Sequence, residues 1–128
     1  MKTAARILIF AVRILALLLV VLGMMLWSGR SFQMIPIHMR MGEVLIALLW
    51  ILAGMGLRAG VSAPLGIGAI VYGLLAFLFA RNMGGLLPGG AHEIIRVLHF
   101  LIGLGAVGLA EAIAARIKRS SAYPPTGL

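Results

Sequence analysis

The sequence contains no cysteine and only three acidic residues. Without cysteine the chain has no disulfide framework, no thiolate metal site and no cysteine nucleophile. Charged residues make up 11% of the 128 positions, whereas hydrophobic residues make up 62%, and the mean hydropathy is +1.14. A water-soluble domain of this length could not bury so much apolar surface. The composition therefore predicts an integral membrane protein.

Four segments are long and apolar enough to cross a bilayer, whose hydrocarbon core of about 30 Å requires about 20 residues of helix. They predict an all-α, polytopic membrane protein in which four transmembrane helices form one compact bundle, a single domain of residues 1–128. The predicted helices cover residues 5–27, 37–57, 61–80 and 91–115, and a short cytoplasmic tail, 116–128, ends in a Pro-Pro turn. The connections between the helices are too short to form a soluble domain.

The basic residues near the predicted helix ends are distributed unevenly across the bilayer. Arg30 and Arg81 lie on one side, and a larger group lies on the other: Lys2, Arg6, Arg58, Arg116, Lys118 and Arg119. Because cytoplasmic segments carry the excess of Lys and Arg, both termini are expected in the cytoplasm, and a bacterial inner membrane is the expected location. The net charge of +8 does not indicate nucleic acid binding. The basic residues flank apolar spans and form no stripe interleaved with aromatic residues.

The two predicted helical hairpins carry similar features in the same order. In each, one helix ends near an arginine, and the next opens near a proline and a histidine: Arg30, Pro36 and His38, then Arg81, Pro88 and His92. This order predicts a weak 2+2 repeat, with the two hairpins inserted in the same direction. The alternative is that any two membrane hairpins share residues of these types.

Ionisable side chains inside the spans are the main functional candidates, because a charge near the centre of a membrane helix costs about 2.5–3.5 kcal/mol. Glu43 and His99 lie about two turns into their helices from the same membrane face. If the helical faces that carry them meet, Glu43 contacts Arg96 or His99. One interpretation of these residues is therefore polar pairing that fixes helix register. Arg13 and Glu111, near the opposite face, are also expected to pair.

The second interpretation is a tetrapyrrole site. A neutral imidazole is the usual axial ligand of haem iron, and a flat macrocycle also needs room between helices. His99 shares its helical face with Gly103, which leaves such room. Arg40 and Arg96 lie nearer the membrane boundary, where propionate groups would emerge. The pattern predicts His99 as the axial ligand of a b-type haem or a chlorophyll-type pigment.

A second axial ligand is harder to place from the sequence. His92 is on the same helix as His99 and cannot bind the opposite face of one macrocycle. His38 projects about 140° away from Glu43 on a regular helix, so it shares the face of Glu43 poorly. The alternatives are ligation by His99 alone and a second ligand from His38 or from a histidine of another subunit. No separate metal site is predicted, because neither His-x-x-x-His spacing nor a facing carboxylate pair is present.

Small residues at four-residue spacing predict close packing between membrane helices. The pairs are Ala69 with Gly73, Ala106 with Ala110, and Gly108 with Ala112. Ala106 and Gly108 lie about 200° apart around the fourth helix, so that helix can pack on two sides. One side fits the bundle, and the other fits another membrane subunit or a second copy of the chain.

Three functions remain open at this point. The leading prediction is a non-catalytic accessory or structural subunit of a larger membrane complex, such as a respiratory or photosynthetic one. The alternative is a haem-binding or pigment-binding membrane protein with His99 as ligand. A small dimeric transporter or channel ranks third, because the second and third spans offer no continuous polar path.

Overall fold

The computed structural model describes residues 1–120 as an all-helical bundle. Its four long helices are α1 (Lys2–Trp27), α2 (Ile35–Arg58), α3 (Ala63–Asn82) and α4 (His92–Ser120). All four are long and apolar enough to cross a membrane. The predicted all-α bundle of four such helices is therefore confirmed, whereas the 2+2 repeat stays a prediction.

The helix ends differ slightly from those predicted. The first helix begins at Lys2 rather than at residue 5, and the fourth continues to Ser120 instead of ending at residue 115. Arg116, Lys118 and Arg119 consequently lie on α4 and not in a tail. The predicted Pro-Pro turn lies outside the described residues. Short 3-10 turns occupy the two longer connections, at Phe32–Met34, Met83–Gly85 and Gly89–Ala91.

Consecutive helices run in opposite directions, so α2 and α4 are parallel. These two helices pack against each other at the centre, and α1 and α3 each contact both of them. One end of the bundle carries the start of α1, the α2–α3 connection and the end of α4; we call it the terminal end. The opposite end carries the other two connections, and we call it the two-loop end.

The core follows a seven-residue spacing on the two central helices. Leu45 and Leu52 on α2 are 7% and 0% exposed, and Ala106 and Ile113 on α4 are 2% and 0% exposed. Residues seven apart lie within about 20° of one face of a helix, so each central helix presents a single buried face to the other. Gly56 belongs to the same contact, because a Cβ atom there would lie 2.8 Å from the side chain of Ile113.

Helix α3 is attached to α2 through a tryptophan and a glycine. The indole Nε1 of Trp50 donates a hydrogen bond to the carbonyl oxygen of Ile70 at 3.1 Å. A Cβ atom at Gly73 would lie 2.5 Å from the same Nε1 atom, so glycine allows this approach. Gly73 and its predicted packing partner Ala69 are both buried. Small residues on α3 therefore face α2.

A tyrosine attaches α3 to α4 in a similar way. The hydroxyl of Tyr72 donates a hydrogen bond to the carbonyl oxygen of Ile102 at 2.7 Å. A Cβ atom at Gly105 would overlap that hydroxyl group. Of the small residues predicted for packing on α4, Ala106 and Ala110 are buried in the bundle. The others are less enclosed: Ala112 is half-buried, and Cβ atoms at Gly103 and Gly108 would meet nothing within 4 Å.

Candidate functional site

Two histidines from the central helices meet near the two-loop end. The ring centres of His38 and His99 are 6.1 Å apart, and the ring planes are inclined by 55°. His38 is seven residues before Leu45, and His99 is seven residues before Ala106. Each histidine therefore continues the buried face of its own helix, and the packing of α2 on α4 brings the two rings together.

This contact corrects the prediction that His38 is badly placed to join His99. That prediction measured the direction of His38 against Glu43, which was the wrong reference residue. Glu43 points to α3, where its carboxylate accepts a hydrogen bond from Arg81 at 3.3 Å. His38 instead shares a face with Leu45, which packs in the core of the bundle.

The ring of His38 is enclosed and incompletely satisfied. On the α1 side, a Cβ atom at Gly23 would lie 3.5 Å from the Cε1 atom of His38. Its Nδ1 atom is buried and has no hydrogen-bond partner among the residues that the structure describes. A buried polar atom left without a partner costs about 1–3 kcal/mol. The bundle therefore keeps an imidazole nitrogen at this position at a cost to its own stability.

A glycine follows each histidine at the same distance along the helix. Gly42 comes four residues after His38, and Gly103 comes four residues after His99. A Cβ atom at either glycine would meet nothing within 4 Å, so both positions border open space. Residues four apart are neighbours on a helix surface. One turn after each histidine, the helix surface therefore carries no side chain.

The expected contact of Glu43 with Arg96 or His99 is not formed. The carboxylate of Glu43 instead accepts hydrogen bonds from Arg40, one turn away on α2, at 3.0 Å and from Arg81 on α3 at 3.3 Å. Arg40 is near because it is on the same helix, and Arg81 is near because this face of α2 is turned toward α3. The histidine pair is consequently left without a carboxylate partner from α2.

The other polar residues of α4 at the two-loop end are engaged close to their own positions. Arg96 donates to Glu93, one turn earlier, at 2.9 Å. His92 Nδ1 lies 2.9 Å from the carbonyl oxygen of Leu86 in the preceding loop. Arg96, Glu93 and His92 line an open cleft of about 390 Å³ at the two-loop end together with residues of that loop. His92 is therefore separate from the histidine pair.

Arg13 and Glu111 pair across α1 and α4 near the terminal end, as the sequence predicted. Arg13 Nε lies 2.6 Å from Oε1 of Glu111, and Nη2 lies 3.0 Å from Oε2. The two side chains remain 57% and 38% exposed. The ion pair thus lies on the outer surface of the bundle rather than in its core.

The separation of the two histidine rings is compatible with two imidazoles that ligate one metal. With metal–nitrogen bonds of about 2.0–2.1 Å, a metal between two imidazoles separates the ring centres by about 5–6.5 Å. Within residues 1–120, no group of three His, Cys, Asp or Glu side chains could hold a metal ion. Two protein ligands are too few for a closed structural ion site, which takes four. A metal held by these two residues would therefore need its remaining ligands from outside the chain.

Protein-family models, curated proteins and solved structures give no match to this chain. Gly23, which lies beside the ring of His38, and Gly42, four residues after it, were not among the predicted site residues. The available signal was the repeated His-x-x-x-Gly spacing, which occurs once on α2 and once on α4.

Proposed function

We propose that the chain is an integral protein of the bacterial inner membrane with both termini in the cytoplasm. The four apolar helices have the length that a bilayer requires. Basic residues are concentrated at the terminal end: Lys2, Arg6, Arg58, Arg116, Lys118 and Arg119. This asymmetry favours a cytoplasmic position for the terminal end. The histidine pair then lies toward the opposite membrane face.

Within that membrane, the chain serves as a non-catalytic subunit that holds a b-type haem between His38 and His99. The observation that carries this proposal is the 6.1 Å separation of two ring centres in the bundle. The unpartnered Nδ1 atom of His38 supports it, because a polar group kept inside a membrane bundle without a partner is a functional candidate by default. Two imidazoles favour haem over a chlorophyll-type pigment, which needs only one axial ligand.

The surrounding residues fit such a group. Gly42 and Gly103 leave open space beside the two rings, where a flat macrocycle needs room. Arg40 and Arg96 lie toward the two-loop end, and their side chains are 80% and 40% exposed. Guanidinium groups at this level provide hydrogen-bond donors for propionates. When bound, a haem with two histidine ligands supplies one-electron transfer.

The role of the chain's own residues is to hold and insulate the cofactor. His38 and His99 would hold the haem through their imidazole nitrogens, and the apolar bundle around them would lower the local polarity, which is one of the means by which a protein sets a haem potential. The electron partners are other subunits of a membrane complex, which agrees with an accessory role.

The proposal is tested by the haem content of the purified chain and three histidine variants. The protein is expressed with added haem precursor, extracted in mild detergent and examined by absorption spectroscopy. Wild type is expected to show a Soret band, and His38→Ala and His99→Ala are expected to lose it or shift it. His92→Ala is the matched control, because His92 contacts Leu86 outside the pair; it is expected to keep the wild-type spectrum.

A colourless wild-type chain after reconstitution with haem would overturn the proposal. Equal loss of the band in all three variants would do the same, since it would indicate a general folding effect. A colourless chain that migrates within a larger assembly would leave the purely structural subunit as the favoured function. A colourless chain that migrates alone would direct attention to transport.

A further inference from the structure

The exposed ion pair on α1 and α4 has hydrogen-bonding capacity that Glu111 does not use. A guanidinium group carries five N–H donors. Arg13 donates to Glu111 through Nε and Nη2, at 2.6 and 3.0 Å, and its side chain is 57% exposed. Hydrocarbon offers no acceptor to the remaining donors. A membrane protein with this surface therefore needs an acceptor from outside the chain.

Two further cations lie nearer the terminal end than this pair, along the same groove between α1 and α4. Arg6 precedes Arg13 by seven residues, and Lys118 follows Glu111 by seven residues. Because the helices are antiparallel, both steps lead toward the terminal end, and each stays within about 20° of the same helical face. The positive charge of Lys118 acts on Glu111. Arg6 and Lys118 thus flank the groove about 10 Å nearer the terminal end than the ion pair.

The groove becomes open and apolar on the other side of the ion pair. On α4, Gly108 comes three residues before Glu111, and a Cβ atom there would meet nothing within 4 Å. On α1, Leu17 comes four residues after Arg13, on the same side of the ion pair as Gly108, and is 63% exposed. From the terminal end inward, the surface therefore presents cations, then a neutralised ion pair, then a smooth apolar channel. This is the order of groups along a phospholipid: phosphate, glycerol esters and acyl chain.

We propose that this α1–α4 groove binds an anionic glycerophospholipid of the leaflet at the terminal end. Arg6 and Lys118 hold the phosphate, the free donors of Arg13 reach the ester oxygens, and one acyl chain lies over Gly108. The ion pair favours lipid binding because Arg13 neutralises Glu111, whose unpaired carboxylate would repel the phosphate. The proposal rests on the membrane placement proposed above and is independent of the haem.

The test compares lipid binding to the purified chain by native mass spectrometry in nanodiscs and detergent. The probes are phosphatidylglycerol, phosphatidylcholine with the same acyl chains, and free glycerol phosphate. The double variant Arg6→Gln/Lys118→Gln removes the phosphate ligands and leaves the ion pair intact. Arg30→Gln/Arg58→Gln is the control, since it removes the same charge from exposed positions outside the groove.

Wild type is expected to retain phosphatidylglycerol in preference to phosphatidylcholine and to ignore free glycerol phosphate. At about 1 kcal/mol for each basic residue near the surface, the groove variant should bind phosphatidylglycerol at least about tenfold more weakly. The control should bind within about twofold of wild type. Equal weakening in both variants, or equal retention of both lipids, would overturn the proposal. Competition by free glycerol phosphate would assign the site to a soluble anion instead.

Absorption spectra of the same variants distinguish the lipid proposal from the haem proposal. The groove variant is expected to keep the Soret band of wild type, because its two substitutions are near the terminal end. Loss of lipid preference with an unchanged spectrum therefore concerns the groove alone. A colourless protein that still selects phosphatidylglycerol would contradict the haem and leave the groove standing.

Discussion

The two ends of the α2–α4 contact are built from the same helical faces but differ in how completely they are filled. Toward the terminal end, Leu52 and Ile113 are fully buried, and Gly56 is so close to Ile113 that even a methyl group would overlap. Toward the two-loop end, His38 and His99 occupy the equivalent positions, and one buried imidazole nitrogen has no partner in the described chain. The first region stabilises the bundle. The second leaves an imidazole nitrogen and open space available for a ligand.

The largest stability effect is expected where α2 and α4 approach each other most closely. Gly56→Leu places side-chain atoms against Ile113 and Val61, whose nearest atoms lie 2.8 and 3.3 Å from a Cβ at that position. Overpacking should lower the free energy of unfolding by about 1–3 kcal/mol or more, despite the better helix propensity of leucine. Thermal unfolding in detergent, followed by circular dichroism, measures this loss.

Gly54→Leu is the matched control for that substitution. It makes the same chemical change on the same helix, but a Cβ atom there would meet nothing within 4 Å. Its stability should equal or slightly exceed that of wild type. If Gly56→Leu and Gly54→Leu have equal stability, the terminal half is not the tightly packed region described here.

The second prediction concerns the open space at the two-loop end. Gly103→Leu meets no neighbouring atom within 4 Å of its Cβ, so the bundle should fold with near-normal stability. The side chain would nevertheless occupy the room required by a macrocycle, and haem affinity should fall by about tenfold or more, equivalent to about 1.4 kcal/mol or more. Haem titration of the apoprotein provides the measurement.

The control for haem titration is Gly68→Leu on α3, another position that borders open space. It should bind haem as wild type does. Wild-type affinity in Gly103→Leu would show that the space beside His99 plays no part in cofactor binding.

A smaller effect is expected from the hydrogen bond that attaches α3 to α4. Tyr72→Phe removes a 2.7 Å hydrogen bond to the carbonyl of Ile102 and leaves the ring in place. Stability should fall by about 0.5–1.5 kcal/mol. Since the bond lies outside the histidine pair, the absorption spectrum should not change. An altered spectrum together with unchanged stability would contradict this account, because Tyr72 would then affect the histidine pair and not the packing of the bundle.

The smallest effect is expected at Glu43. Its carboxylate pairs with two exposed arginines, Arg40 and Arg81, and exposed ion pairs contribute about 0–1 kcal/mol. Glu43→Gln should therefore change neither the spectrum nor the stability substantially. Uptake or efflux by liposomes that contain the wild-type chain, lost in this variant, would instead support a transporter.

The number and approximate extent of the helices could be predicted because a bilayer requires long apolar segments with few charges. The Arg13–Glu111 pair could also be predicted, since two opposite charges at equal depth have few other partners in hydrocarbon. Both predictions depend only on position along the membrane normal. They do not require knowledge of which way each helix faces.

The direction of each helical face could not be predicted, and this is why the site was only partly recognised. In a membrane helix nearly every face is apolar, so hydrophobicity does not distinguish core from lipid. The face of α2 that carries Leu45 and His38 became identifiable only from its contact with α4. The partners of Glu43 depended on the same information, because Arg81 becomes accessible only when that face turns toward α3.

The most direct test of the central claim is the spin state of the ferric chain, measured by electron paramagnetic resonance on wild type and His38→Ala. Two histidine ligands on one iron predict a low-spin signal in wild type. They also predict a high-spin signal in the variant that added imidazole converts back to low-spin. A high-spin wild type, or a signal that His38→Ala leaves unchanged, would contradict the assignment of both histidines to one cofactor.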